Sequence, residues 1–270
     1  MAALLAFLKA LLFGIVEGVT EWLPVSSTGH IILLDAFLPL NMSPQFYDLF
    51  EILIQLGAIC AVIVLYFRQL DPLAGAQNRS LWGNILIGVL PSAVLGLALD
   101  EVLDNFLRNT PVGSTNLNTV TVAVALIFYG IIFIVLERRK PALERPLTPL
   151  RAAGIGLFQC LSLIPGTSRS GATILGAVLL GVSRPKAAEF SFFLAIPTML
   201  GASLLKLWQF RGTVLAPTEW LMLITGCLTA FFVSLPVLRG LVDYVKNHGL
   251  SRFGIYRIAL GGLVLIYCLR

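Results

Sequence analysis

Two glutamates four residues apart, Glu17 and Glu21, interrupt an apolar N-terminal stretch, and the hydroxyls and imidazole of "PVSSTGH" (24–30) follow at once. Residues spaced i and i+4 share one face of a helix, where like charges repel. The pair therefore calls for a cation. Carboxylates in a membrane-embedded segment are costly and mark a site or pathway, and facing hard oxygens suit Mg²⁺ or Ca²⁺. The competing reading is an amphipathic first helix whose glutamates are merely solvated. Downstream, Pro24 ends the preceding helix and Ser26 or Ser27 stands at the N-cap of the next. His30 follows Ser27 by three residues, where an imidazole can pair with a hydroxyl or an anionic ligand. Plain capping by the serines and a packed core histidine are the alternatives.

A second stretch, "IPGTSRSGAT" (164–173), places Ser168, Arg169, Ser170 and Thr173 at a helix start, with Gly166 and Gly171 freeing the backbone. Amides at a helix N-terminus, hydroxyls and a guanidinium together cradle a phosphate. Arg169 can equally be a counter-ion for Glu17 or Glu21, and the two roles are compatible.

The elements that carry these residues belong in a bilayer. Hydrophobic residues make up 57% and charged ones 12% of the chain, with a mean hydropathy of +0.90, far from the composition of soluble domains. Apolar runs predict spans at about 47–67, 81–99, 120–136, 187–207, 219–238 and 253–269. The apolar N-terminus lacks a basic leader and a small-residue cleavage site, so it is expected in the mature fold. Cys60, Cys160, Cys227 and Cys268 lie in apolar segments without metal-ligand spacing. Basic residues sit in short loops between spans, which argues for membrane orientation and against nucleic acid.

An internal repeat organises these runs. Displacing the chain by 142 places sets Glu17 on Gln159, Ser26 on Ser168, Thr28 on Ser170 and Gly29 on Gly171, and "FYDLFEILIQLGA" (46–58) aligns with "FSFFLAIPTMLGA" (190–202) at nearly the same offset. The expected fold is an all-α polytopic membrane protein of two halves, 1–140 and 141–270. Each half is a re-entrant helical pair (about 2–38 and 151–182) followed by three spans. An odd number of spans inverts one half against the other and brings the broken segments together near the midplane. Twelve basic residues (Arg68, Arg79, Arg138, Arg139, Lys140, Arg145, Arg151, Arg184, Lys186, Arg239, Lys246 and Arg252) fall on one side, against Arg108, Lys206, Arg211 and Arg270 on the other. The first group is assigned to the cytoplasm, and both termini to the outside.

Carboxylates for a divalent cation, a nucleophile with a basic neighbour and an anion cradle, all within a bilayer, point to phosphoryl transfer on a lipid. A flippase or secondary transporter is the rival, because inverted repeats with broken helices serve transport as well.

The stretches "EGVTEWLPVSSTGH", "PGTSRSGAT" and "SRPKAAEFSFFLAIP" resemble the signature regions of the undecaprenyl-pyrophosphate phosphatase family, the bacitracin-resistance proteins, over nearly the whole chain. The resemblance implies a bacterial inner-membrane enzyme of six spans and two re-entrant pairs. Such an enzyme hydrolyses a polyisoprenyl pyrophosphate lipid to its monophosphate at the outer face, with a divalent cation, and so recycles the cell-wall carrier. It carries catalytic roles onto Glu17, Glu21, Ser27, His30 and Arg169, with Glu17 and Glu21 as metal ligands. Ser26, Thr28, Ser168, Arg169, Ser170, Gly171 and Thr173 form the expected phosphate-binding set, and a homodimer is the expected assembly to test. Ser27 is expected to attack phosphorus with His30 taking its proton, or else Glu21 or the metal activates water. The stretch 108–119 looks longer than this family's outer loop, and Trp22 stands where Phe is also common.

Overall fold

Apolar runs this long can satisfy their backbone in a bilayer only by internal hydrogen bonding, and the chain is accordingly almost all helix. The computed structural model describes residues 2–40, 42–112, 115–138, 144–211 and 214–268. In the first half, α1 (Ala2–Thr20) and the short α2 (Ser27–Phe37) precede α3 (Pro44–Leu65), the single turn α4 (Phe67–Leu70), α5 (Ala76–Asn109) and α6 (Leu117–Glu137). In the second, α7 (Pro149–Gln159) runs into a 3₁₀ turn (Cys160–Leu163), followed by α8 (Arg169–Leu179), α9 (Arg184–Gln209), α10 (Pro217–His248) and α11 (Ser251–Cys268). Local chemistry sets several starts. Ser43 and Thr148 accept from Phe46 N and Arg151 N, each with a proline opening the helix.

Among the described residues, six helices are long and apolar enough to cross a membrane: Ala3–Thr20, Gln45–Leu65, Ala76–Leu99, Leu117–Glu137, Arg184–Gln209 and Pro217–His248. Five match expected spans. The sixth is α1, expected as the first arm of a re-entrant pair, while the expected span at 253–269 forms the 18-residue α11 and is not among them. Composition sets the two helices apart in the sense opposite to the expectation, since α1 is wholly apolar up to Glu17 apart from Lys9 whereas α11 carries Arg252 and Arg257.

The stretch 108–119 is not an extended loop. Helix α5 runs through Asn109, and two-residue strands, β1 (Pro111–Val112) and β2 (Thr115–Asn116), pair antiparallel before α6 begins. Positions 113–114 of this stretch lie outside the described residues, as do Arg139, Lys140 and Arg270 of the charge count.

Packing runs between the halves. Helix α1 lies along α10, α7 along α5, and α6 along α11. Small residues let the backbones touch: a Cβ on Gly14 would stand 2.6 Å from Gly226 O, and one on Gly156 would stand 2.1 Å from Gly88 O. The long partners α5 and α10 each contain an internal proline, Pro91 and Pro236. The largest buried apolar cluster joins α3, α8, α9 and α10 around Trp22, Ile59, Phe190 and Phe192.

Candidate active site

Both polar segments break their helices in the same way. Residues 21–25 form a turn after α1, and 164–168 form one after the 3₁₀ helix. Each leads into a short helix through a serine with left-handed backbone: Ser26 has φ 69° and Ser168 φ 72°, the two non-glycine residues with positive φ among those described. Such a conformation is uncommon outside glycine, asparagine and aspartate, and is held only where surroundings over-determine it. Ser168 Oγ caps α8, accepting from Gly171 N at 3.1 Å. Ser26 occupies the N-cap position of α2, but its hydroxyl makes no cap bond and is buried without a partner. Ser26 thus takes the expected N-cap position without the side-chain cap bond, whereas Ser168 makes that bond in the second segment.

The two segments meet at Glu21. Its Oε1 accepts from Arg169 Nη2 at 3.1 Å, and its Oε2 accepts from Ser27 Oγ at 2.9 Å. Both partners of the ion pair have side chains only 10% exposed, so the attraction is weakly screened. Arg169 Nη1 donates to Ser191 O on α9 at 2.8 Å, while its Nε is buried with no partner. Ser170 Oγ lies within 3.2 Å of Glu21 O and 3.1 Å of Leu23 O, and 3.0 Å from Ser168 Oγ. Thr173 Oγ1 bonds Arg169 O at 2.9 Å and Ser191 Oγ at 2.6 Å. Helix α8 is therefore tied at once to the first segment and to α9.

Glu17 lies one turn before Glu21, 2% exposed, with Oε1 lacking any hydrogen-bond partner. A buried carboxylate oxygen left so is costly without a cation or proton. Glu17 and Glu21 together supply hard oxygen donors that fit Mg²⁺ or Ca²⁺, although no cluster of three or more His, Cys, Asp or Glu of metal-binding arrangement exists among the described residues.

His30 takes a different place from the one expected. Its Nδ1 is 2.7 Å from Ser26 O and its Nε2 is 2.7 Å from Tyr256 OH, with the two rings stacked at 5.5 Å. A carbonyl can only accept, so neutral His30 carries its proton on Nδ1 and accepts from Tyr256 at Nε2. The pair expected between His30 and Ser27 is not formed, because Ser27 points at Glu21 and both imidazole nitrogens are engaged elsewhere. Thr28 is exposed, apart from this network, and the Gly171 amide is spent on the Ser168 cap.

Three contributors were not anticipated. Tyr256 comes from a helix that reads as a plain span, and Ser191 lies in the stretch "SRPKAAEFSFFLAIP", where it was given no role. The third is Arg257, 0% exposed, in the middle of an apolar run where an ionisable residue is itself a signal of a site. Trp22, buried, donates from Nε1 to Ser234 Oγ at 2.8 Å, and the Arg169 guanidinium lies 5.8 Å from its ring centre. This seat suits an indole where Phe could not make the hydrogen bond.

Comparison with known proteins shows the family of the chain. The model of the family "Bacitracin resistance protein BacA" matches residues 10–263. The chain is 50% identical over 279 residues to undecaprenyl-diphosphatase 1 of Clostridioides difficile (strain 630), covering 98% of this chain and 97% of the relative. It is 48% identical to undecaprenyl-diphosphatase of Limosilactobacillus fermentum (98% of each chain covered), and 49% identical to that of Streptococcus mutans (96% and 95% covered). Matched in this way from end to end, with both polar segments inside the family match, the chain belongs to the bacitracin resistance protein BacA family.

Proposed function

We propose that the protein hydrolyses undecaprenyl pyrophosphate, or a closely similar polyisoprenyl pyrophosphate, to the lipid monophosphate and inorganic phosphate. The observation that carries this reading is the continuous chain Ser27–Glu21–Arg169, which joins a hydroxyl nucleophile, a carboxylate base and a guanidinium across the two broken segments. The relatives' common name as undecaprenyl-diphosphatases supports hydrolysis over transport.

Arg169 turns from its Glu21 contact to grip the phosphate oxygens, aided by hydroxyls and amides at the start of α8. Glu21, whose Oε2 already accepts the hydrogen bond from Ser27 Oγ at 2.9 Å, takes the Ser27 proton. Ser27 Oγ bonds the terminal phosphorus as the bridging P–O bond breaks, and the lipid monophosphate leaves. Water then cleaves the phosphoserine and restores the hydroxyl. Direct attack by water held on Glu21 remains the competing route, and Ser27→Ala distinguishes them. Glu17 and Glu21 are the residues that would hold a divalent cation, which when bound would neutralise charge developing on the phosphoryl oxygens.

Several observations support an inverted repeat with two re-entrant pairs. Ser26 and Ser168 stand 142 places apart with the same rare backbone. Gly14 and Gly156, at the same offset, each cross the proline-containing long helix of the opposite half. The orientation follows the basic residues: the ends carrying Arg68, Arg145, Arg184 and Lys246 face the cytoplasm, the site opens outward, and the membrane is the bacterial inner membrane. Phosphate release by the purified protein in detergent, from lipid pyrophosphate and with or without chelator, tests the function. Release that needs a divalent cation supports it, and its absence defeats the reading.

A further inference from the structure

Arg257 is fully buried in α11, and no carboxylate pairs with it among the described residues. Its Nη1 donates to Pro24 O at 3.1 Å, and its Nη2 donates to Gly166 O at 2.8 Å and Thr167 O at 2.9 Å. The Tyr129 and Phe133 rings of α6 flank the guanidinium with centres 5.7 and 5.6 Å away. A buried cation is expensive unless carbonyls and aromatic faces replace its water, and these carbonyls come from the two turns that interrupt the helices. Ser27 is three residues beyond Pro24, and Arg169 two beyond Thr167. One side chain thus holds the backbone of both segments immediately before the groups that must meet the same phosphate.

Space around the pin is closed as well. A Cβ on Gly171 would stand 3.1 Å from Arg257 Nη1, and Gly166, at φ 87°, would set a Cβ 2.5 Å from Val122 backbone. The turn at 166–167 is therefore wedged between α6 and Arg257.

We infer that Arg257 is a positioning residue, which fixes the spacing of the Ser27 segment to the Arg169 segment and so sets the turnover rate without touching substrate. This inference rests on the hydrolase reading of the site. A planar fork can reach acceptors on both segments together, whereas a lysine ammonium at the end of a flexible chain keeps the charge but not the span.

The test compares parent, Arg257→Lys and Arg257→Ala as full-length protein in detergent, using farnesyl pyrophosphate as the probe and following inorganic phosphate. The expected result for folded Arg257→Lys is a kcat lower by roughly 10- to 100-fold with KM held within about three-fold, as for a misplacement of reacting groups. Combined with Arg169→Lys it should cost less than the product of the single losses, since the gripping geometry is lost only once. Guanidinium, and not methylammonium, should restore part of the activity of Arg257→Ala. A folded lysine variant with parental kcat, or equal rescue by both cations, overturns the inference. A lysine variant that does not fold, with no rescue of the alanine variant, also overturns it, because Arg257 then holds the fold alone. A parent that releases no phosphate defeats the hydrolase reading itself, whereas an active parent beside a fully active lysine variant defeats only the pin.

Discussion

Arg169 on α8 and Glu21, just past the end of α1, form a buried ion pair at 3.1 Å although 148 positions separate them in the chain. Each is also the keeper of a second group: Glu21 holds the Ser27 hydroxyl, and Arg169 holds the Ser191 carbonyl. The guanidinium balances the Glu21 charge in this structure, and in the proposed mechanism it also grips the substrate phosphate. Replacement by lysine separates the two duties. Arg169→Lys should fold with nearly parental thermal stability, yet lose roughly 10²- to 10³-fold in kcat/KM on lipid pyrophosphate, the loss expected for a transition-state donor. Added cation should not rescue it. Activity within a few-fold of the parent would leave Arg169 as a counter-ion only.

Glu21 and Ser27 are distinguishable by paired variants. Glu21→Gln keeps a side-chain acceptor for Ser27 but removes the base, and turnover should fall by roughly 10²- to 10⁴-fold. Ser27→Ala should fall at least as far if the serine is the nucleophile. Ser27→Ala with most of its turnover, beside an inactive Glu21→Gln, would assign the attack to water.

Much of this site is legible in the sequence, for a definite reason. Carboxylates and a guanidinium inside apolar runs have few partners available, so Glu21 and Arg169 stand out as candidates for one another. Hydroxyls are less constrained. The pattern "SSTGH" does not say which way each side chain points, and the structure turns Ser27 toward Glu21, leaves Ser26 without a cap bond and sends His30 to Tyr256. Arg257 escaped because one charge inside the run 253–269 reads as tolerated noise, and its partners are backbone carbonyls, which carry no residue-type signal. The helical spans were legible by hydropathy, but the extension of α5 to Asn109 was not, since its last turns carry Asp100, Glu101 and Asp104 and follow helix propensity rather than apolarity.

The His30–Tyr256 contact gives a graded expectation. Tyr256→Phe keeps the stacked ring while removing the hydroxyl that donates to Nε2. The Ser26 carbonyl still holds Nδ1, so the imidazole stays in place and the cost should be small, about 0.5–1.5 kcal/mol, read as a few-fold fall in kcat/KM. His30→Ala should cost clearly more. Equal effects of the two variants would show that His30 acts only through Tyr256.

Gly166→Ala tests the backbone of the second segment. At φ 87°, with a Cβ placed 2.5 Å from Val122 Cα and O, alanine meets both a disfavoured conformation and a clash with another helix. The thermal midpoint should fall by the equivalent of at least about 1–3 kcal/mol, with activity falling further than stability because Arg169 lies three residues on. A parental midpoint would mean that the turn relaxes freely.

Cation dependence can be read without turnover. If Glu17 and Glu21 hold a divalent ion, Mg²⁺ or Ca²⁺ should raise the thermal midpoint of the parent, by the mass action of binding to the folded state alone. Glu17→Gln should abolish that shift. A shift that persists in Glu17→Gln would place the ion elsewhere.

The decisive property is where the phosphoric anhydride is cut. Hydrolysis of undecaprenyl pyrophosphate by the purified protein in heavy-oxygen water, with both products weighed by mass spectrometry, reads this directly. Attack on the terminal phosphorus predicts one inorganic phosphate per lipid, with the heavy atom in the inorganic phosphate and none in the lipid monophosphate. Heavy oxygen in the lipid product, release of intact pyrophosphate, or lipid recovered unchanged would contradict it.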